Sequence, residues 1–493
     1  MAVDDRNPDP AAAALPEGIW SLLDTDLYKL TMQCAVLKYF PDVEVSYSFT
    51  NRTQDKKLNR AAYNWLQVQI AKLSNVRVTE DELRFLETSC PYLNDSYLSF
   101  LRDFHLKPAE QIKLTFTPLQ DTGSDDDAGD LSLQTKGRWV DTILYEIPLL
   151  ALTSEAYFKF VDKDWDYHGQ EEKAYKKGCA LLENGCIFSE FGSRRRRDYH
   201  TQDVVMAGLK RAAKEGAEKG WRGKLSGTSN VHFAMKHGVL PVGTVAHEWF
   251  MGIAAVTNNY ENANEIALRY WVGTFGGGVL GIALTDTFGT PTFLKAFKEP
   301  CPLYTTAIPG GSATTALRGN YHATAPIQDG ETSPADQKSY AQVFTGVRQD
   351  SGDPAGFVKM MRGFYDTVGI KEKKTIVFSD SLNIENCIEY LQIAEEAGFQ
   401  PTFGVGTFFT NDYVRKTNSK KSVPLNIVIK LSHANGNPAI KISDNIGKNT
   451  GDKEKVAEVK RRLGYVERDW VGGNESTRWG KEGEAGNAAN VKA

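Results

Sequence analysis

From about residue 185 onward the chain repeats one pattern: a short β-branched or glycine-containing run ends in small polar residues, and a segment of helical periodicity follows. This rhythm restricts the fold strongly, because a parallel strand reaches the next one only through a crossover, usually a helix. In the clearest unit, residues 344–348 lead into a turn from Gln349 to Pro354, and then a helix carries Phe357, Met360, Met361 and Phe364 on one face. Pro354 suits the first helical turn, where its missing N–H costs nothing. Residues 375–378 repeat the unit with Ser379, Asp380 and Ser381 at the strand end and Ile384, Cys387, Ile388 and Leu391 along the following helix, which Gly398 stops. Residues 401–405 open directly into Gly406 and Thr407, and residues 279–284 lead to Thr285, Asp286 and Thr287. Such units predict an α/β barrel with reactive groups at its C-terminal rim; a doubly wound open sheet is the alternative.

The front of the chain reads differently. A helix over 25–40 and a strand over 43–50 are expected, then further helical pieces and two strand-like runs, 112–116 and 139–144. The Asp-rich stretch from Asp121 to Asp127 between those runs reads as an elongated hairpin loop. The expected divisions are a tail at 1–16, an N-terminal α+β domain at 17–150 and the barrel at 151–420. A segment at 421–470 packs back on either, and a second tail occupies 471–493; both tails lack apolar periodicity.

With 493 residues, 41% of them hydrophobic, the chain can bury a large core, and its net charge of −4 gives no electrostatic case for nucleic acid or an acidic membrane. Its six cysteines form neither a CxxC pair nor a zinc spacing. The N-terminus is acidic before a short alanine run, unlike a signal or transit peptide, and no apolar run approaches the roughly 20 residues of a membrane span. The reading is cytoplasmic, with the nucleus as a second compartment.

Four kinds of group fall at the expected strand ends. Asp286, Asp350, Asp353 and Asp380 suit Mg²⁺ or ribose hydroxyls, and each equally suits a helix N-cap. Gly404, Gly406 and Thr407 form either a phosphate cradle or an ordinary tight turn. The run Arg194 to Arg197, just after a strand-like piece, suits bidentate capture of phosphate or carboxylate, or else a solvated face, and Arg348 adds a cation among the acids. Ser226, Thr228 and Ser229 form a small hydroxyl cluster at another strand-to-helix junction. Together these point to a phosphorylated sugar, Mg²⁺ and a carboxylated or otherwise polar partner. After the apolar run 239–242 come Gly243, Thr244, Val245, Ala246, His247 and Glu248, either a nucleophile site or a structural histidine.

The runs 23–29, 189–192 with its arginines, 227–230, 243–249 and 348–353, taken in order, resemble the nicotinate phosphoribosyltransferase family over about residues 18–455. The resemblance implies a type II phosphoribosyltransferase fold, an irregular α/β barrel with an N-terminal α+β domain, assembled as a homodimer with interfacial active sites. It implies the first step of NAD salvage from nicotinate: nicotinate and 5-phosphoribosyl 1-pyrophosphate give nicotinate mononucleotide and pyrophosphate, with Mg²⁺ as cofactor and ATP as co-substrate. His247 then corresponds to the histidine that ATP phosphorylates, with Glu248 as the group that orients or charge-balances it. Tyr28, reaching in from the partner subunit, and Phe191 correspond to aromatics that sandwich the pyridine ring. Arg194 corresponds to the arginine that meets the nicotinate carboxylate, and Thr244 to a further base contact. Ser229 stands where the related nicotinamide enzyme has an aspartate, and a neutral serine favours an acid substrate. Arg348, Asp350 and Asp353 correspond to the group around the ribose and pyrophosphate, with Asp350 and Asp353 the candidate Mg²⁺ ligands. Gly404, Gly406 and Thr407 would hold the 5′-phosphate, with Asp380 and Ser381 on the adjacent loop. The alternatives are a nicotinamide phosphoribosyltransferase and a non-catalytic nucleotide-binding regulator that docks partners through Arg194 to Arg197.

Overall fold

Six short strands form one sheet in the order Lys224–Thr228, Ile187–Glu190, Gln400–Val405, Thr375–Phe378, Gly346–Gln349 and Ile282–Leu284, and every pairing is parallel. This is a computed structural model, and it describes residues 15–301, 338–445 and 448–466. Of the two expected tails, 471–493 lies entirely outside the described residues and 1–16 almost entirely. The strands are apolar because crossover helices cover them: Val347, Ile376, Phe378, Phe403 and Val405 are all buried. The helices Pro354–Thr367 and Ile384–Glu396 bury the faces expected of them, with Phe357, Met361, Cys387 and Leu391 inside.

Among the described residues the two end strands of this sheet do not pair with each other. An arc of irregular chain spans the gap. Pro241 bridges Thr228 in parallel, and six residues later His247 Nδ1 lies 3.0 Å from Thr287 Oγ1, just past the strand Ile282–Leu284. The result is an irregular α/β barrel rather than a doubly wound open sheet, and His247 sits where the arc meets the rim.

A second, antiparallel sheet is built around Glu44–Asn51, which pairs with Ala128–Arg138 on one side and with Ile427–Ala434 on the other. The chain after 421 therefore returns to the front of the molecule, and it also touches the barrel, where Ile442 N–H donates to the Thr287 carbonyl at 2.8 Å. The helix Leu27–Tyr39 is almost wholly buried, and Leu27 N–H donates to the Ser229 carbonyl at 2.7 Å. This pins Asp26 and Tyr28 against the barrel rim. Among the described residues no helix is long and apolar enough to cross a membrane.

The hairpin differs from expectation. Its second strand is Ala128–Arg138, registered so that Leu131 faces Phe116 and Leu133 faces Leu114, whereas Trp139–Thr142 is helical. The apolar spacing of Trp139, Val140, Ile143 and Leu144 fits a helix as well as a strand, and all four are buried. Two aspartates of the intervening loop are held by Arg60, which donates to Asp121 at 2.6 Å and Asp127 at 3.1 Å.

Candidate active site

A cavity open to solvent lies over the C-terminal rim of the barrel, with residues from the second sheet and the 441–450 segment also lining it. Tyr28, Phe191, Arg194, Ser229, Thr244 and His247 line it, as do Arg348, Asp350, Asp380, Gly404, Gly406 and Thr407. Tyr28 lines the cavity of its own chain.

His247 is the first residue of the helix His247–Thr257 and is buried. Its Nε2 lies 2.8 Å from Lys441 Nζ, 2.9 Å from Asp350 Oδ2 and 3.7 Å from Asp286 Oδ1. Burial, then the Lys441 ammonium, depress the imidazole to about 4 against the pull of Asp286 and Asp350. The ring is therefore neutral at physiological pH. In the tautomer with the ring proton on Nδ1, donated to Thr287, Lys441 donates to Nε2, whose lone pair is the one a nucleophile needs; the tautomer with the proton on Nε2 donates to Asp350 instead.

Glu248 does not serve this ring. Its carboxylate accepts from Tyr47 Oη at 2.6 Å and Trp139 Nε1 at 2.9 Å and pairs with buried Lys29. Successive helical residues point about 100° apart, so adjacency in sequence sends His247 and Glu248 to different places. The carboxylate that meets the imidazole is Asp350. Burial pushes its carboxyl up, but the Arg348 guanidinium and the Lys441 ammonium outweigh that and hold it well below the usual range. Arg348 donates to Asp350 Oδ1 at 2.8 Å and to Ser379 Oγ at 2.8 Å, which fixes both groups at the ends of neighbouring strands.

Asp353 is not brought to the site either. It is exposed, lies outside the cavity lining and caps the helix Pro354–Thr367 by accepting from Ala355 and Gly356 N–H. The second acid at the histidine is Asp286, whose Oδ2 accepts from Ser351 at 2.5 Å while its buried Oδ1 has no hydrogen-bond partner. An orphaned carboxylate oxygen beside Asp350 is a donor set that fits a hard divalent cation.

Tyr28 and Phe191 add aromatic rings to the cavity lining, and Arg194 reaches it from the short 3-10 helix Ser193–Arg195. The glycines after residue 403 have an unexpected role. A methyl group on Gly404 would run into the Phe191 ring, and one on Gly406 would crowd the Phe191 carbonyl, so both make room for Phe191. Asp380 accepts from Lys448 at 2.6 Å across the cavity edge.

The arginine run divides. Arg196 is fully buried and bidentate to Asp24 at 2.7 and 2.8 Å. Arg197 is fully buried, stacks 3.7 Å from the Phe158 ring centroid and donates to Asn411 and Ser422. Arg195 donates to Asn426 and the Ile427 carbonyl, and Arg194 lies 3.5 Å from Glu146; both line the cavity. With two of its four members buried, the run is no docking surface.

Sequence reasoning missed Asp26, Lys430 and Lys441, all cavity-lining. The lysines carried a signal: each is a single cation inside an apolar run, Ile427–Leu431 and Ala439–Ile442, where burial of an ammonium demands a reason.

The model of the nicotinate phosphoribosyltransferase N-terminal domain matches residues 23–154, and that of the nicotinate phosphoribosyltransferase family matches residues 186–306 and 320–467. The chain belongs to the nicotinate phosphoribosyltransferase family. It is 46% identical over 466 residues to the nicotinate phosphoribosyltransferase of Saccharomyces cerevisiae, covering 94% of this chain and 99% of that one. A solved Saccharomyces cerevisiae structure superposes with a TM-score of 0.80 at 45% identity, covering 92% of this chain and 99% of that chain. The nicotinate phosphoribosyltransferase of Porphyromonas gingivalis does so at 0.74 and 31% identity, over 90% and 100%. The fold is thus the type II phosphoribosyltransferase fold of these relatives.

Proposed function

We propose that this protein joins nicotinate to 5-phosphoribosyl 1-pyrophosphate to give nicotinate mononucleotide and pyrophosphate, the first step of NAD salvage from nicotinate, and couples this to ATP hydrolysis through a phosphohistidine at His247. The observation that carries the coupling is a buried imidazole, neutral at physiological pH, with Lys441 and Asp350 at Nε2, inside the same cavity as the aromatic walls and Arg194.

Tyr28 and Phe191 hold the pyridine ring, Arg194 meets its carboxylate, and Ser229 and Thr244 complete the base pocket. As the ring nitrogen bonds to the ribose C1 and the C1–O bond to pyrophosphate breaks, positive charge builds on the sugar. The carboxylate of Asp350, fixed by Arg348, stabilises it. Gly404, Gly406 and Thr407 receive the 5′-phosphate, with Asp380 and Ser381 beside them. For phosphoryl transfer from ATP, the Nε2 lone pair attacks the γ-phosphorus, ADP leaves, and Nδ1–H remains donated to Thr287. Asp350 and Asp286 would hold Mg²⁺, which when bound neutralises charge on the departing pyrophosphate; Asp353, at its helix cap, would not.

The test is turnover with nicotinate and nicotinamide in parallel, each with 5-phosphoribosyl 1-pyrophosphate and Mg²⁺. The proposal expects nicotinate to be the faster base. A faster rate with nicotinamide, or no mononucleotide from either, would reject it.

A further inference from the structure

Ser229 donates its hydroxyl hydrogen to Asp26 Oδ1 at 2.7 Å, and Ser193 donates to the same oxygen at 2.7 Å. Ser229 therefore presents lone pairs, not a donor, to the base pocket. A lone pair suits an amide N–H better than a carboxylate, so a neutral serine does not by itself explain a preference for an acid. Another group must supply a hydrogen.

Arg194 is one such donor, and Asp26, bonded to Ser229, stands beside the pocket as a second. Asp26 lines the cavity although only 3% of it is exposed, and its Oδ2 takes no hydrogen bond among the described residues. Asp24, two residues earlier, is equally buried but bidentate with Arg196, and is ionised for that reason. Asp26 has no such cation. Neither does its neighbour Glu190, fully buried, which is held by Thr228, Gln202 and the Gly192 N–H. The charged groups around Asp26 are Glu190, Glu146 and Arg194, with the Tyr28 phenol, and Arg194 is shared with Glu146. Two buried carboxyls close together, neither in an ion pair, do not both ionise at moderate cost. Burial raises both, in keeping with this.

We propose that Asp26 is a specificity-determining residue of the base pocket, which keeps a proton on Oδ2 and donates it to the carboxylate of the bound base. This rests on the proposed reaction. Arg194 supplies the charge and Asp26 an uncharged donor; an amide carbonyl, carrying no charge, would gain less from both. No net proton is consumed, since the hydrogen is shared across the contact and stays with Asp26 when product leaves.

The experiment compares wild type, Asp26→Asn and Asp26→Ala by the KM for nicotinate and for nicotinamide, from about pH 6 to about pH 9, at saturating 5-phosphoribosyl 1-pyrophosphate. Asparagine keeps an N–H donor, so Asp26→Asn is expected to hold the nicotinate KM within about threefold, while Asp26→Ala raises it roughly tenfold to a hundredfold. Wherever the wild-type KM for nicotinate rises towards alkaline pH, Asp26→Asn should flatten that rise, and the nicotinamide KM should stay level. A nicotinate KM that falls in Asp26→Asn would mean an ionised Asp26 and overturn the proposal, as would equal damage in the two variants. If Asp26→Asn fails to fold, Asp26→Ala decides: a nicotinate KM there that is unchanged or lowered overturns the proposal. Absence of mononucleotide in the wild type would instead count against the proposed reaction.

Discussion

Replacing Lys441 by methionine tests why His247 is neutral. Methionine keeps most of the apolar stem and removes the ammonium 2.8 Å from Nε2. At that separation and an effective dielectric of about 20, the repulsion between the ammonium and a proton on Nε2 is about 6 kcal/mol. Relaxation and water entry take back part of it. Retaining half, about 3 kcal/mol, corresponds to about two pKa units. The sign follows from what remains: burial still opposes the imidazolium, but Asp286 and Asp350 then attract a proton without the ammonium against them. His247 should move from about 4 in the wild type to about 6 in the variant. At a pH of about 5.5 a few wild-type rings in a hundred would be protonated, against most of those in the variant. Side-chain histidine NMR titration reads this directly, with His247→Gln to assign the resonance. If the variant still titrates near 4, burial alone sets the ring's state and Lys441 does not keep it nucleophilic.

Three further outcomes are expected. Gly404→Ala pushes the Phe191 ring out of place, an overpacking cost of about 1–3 kcal/mol, so the nicotinate KM should rise roughly 5- to 100-fold with the 5-phosphoribosyl 1-pyrophosphate KM little changed; the reverse pattern would restore these glycines to a phosphate cradle alone. Arg196→Met should cost about 3–5 kcal/mol in urea unfolding because it strands buried Asp24, whereas Arg194→Met should fold normally and weaken nicotinate binding by about 2 kcal/mol; equal stability losses would refute the division of the run. Burial, with Asp198, raises the Glu155 carboxyl to about 8, so between about 4.5 and 8 the folded chain keeps a proton that the unfolded chain releases. Stability should therefore fall as pH rises through that window, by up to about 5 kcal/mol, and Glu155→Gln should remove most of the loss; identical unfolding curves for both proteins at about pH 5 and about pH 8 would sink this.

The barrel was legible because parallel strands covered on both faces read as short continuous apolar runs, and the helices after 353 and 383 showed their buried faces at helical spacing. The strand Ala128–Arg138 was not, since Gly129, Asp130 and Gly137 break its pattern and half its side chains face water. Within the site, residues next to one another in sequence misled: Glu248 follows His247 by a turn angle that carries it away, and Asp353 follows Asp350 into a helix cap. The groups that do meet His247 arrive from afar, Asp286 and Thr287 from one strand end, Asp350 from the next, Lys441 from a segment that first crosses the antiparallel sheet. No local pattern encodes such a meeting, which depends on the curved parallel sheet, the irregular arc that spans its gap and the returning chain.

The most direct test of an ATP-coupled histidine is mononucleotide synthesis from nicotinate, 5-phosphoribosyl 1-pyrophosphate and Mg²⁺, with and without ATP, in the wild type and His247→Ala. ATP should raise the wild-type yield and leave an acid-labile phosphate on His247, while His247→Ala should make product at one rate whether ATP is present or not. ATP stimulation that survives in His247→Ala would contradict the assignment.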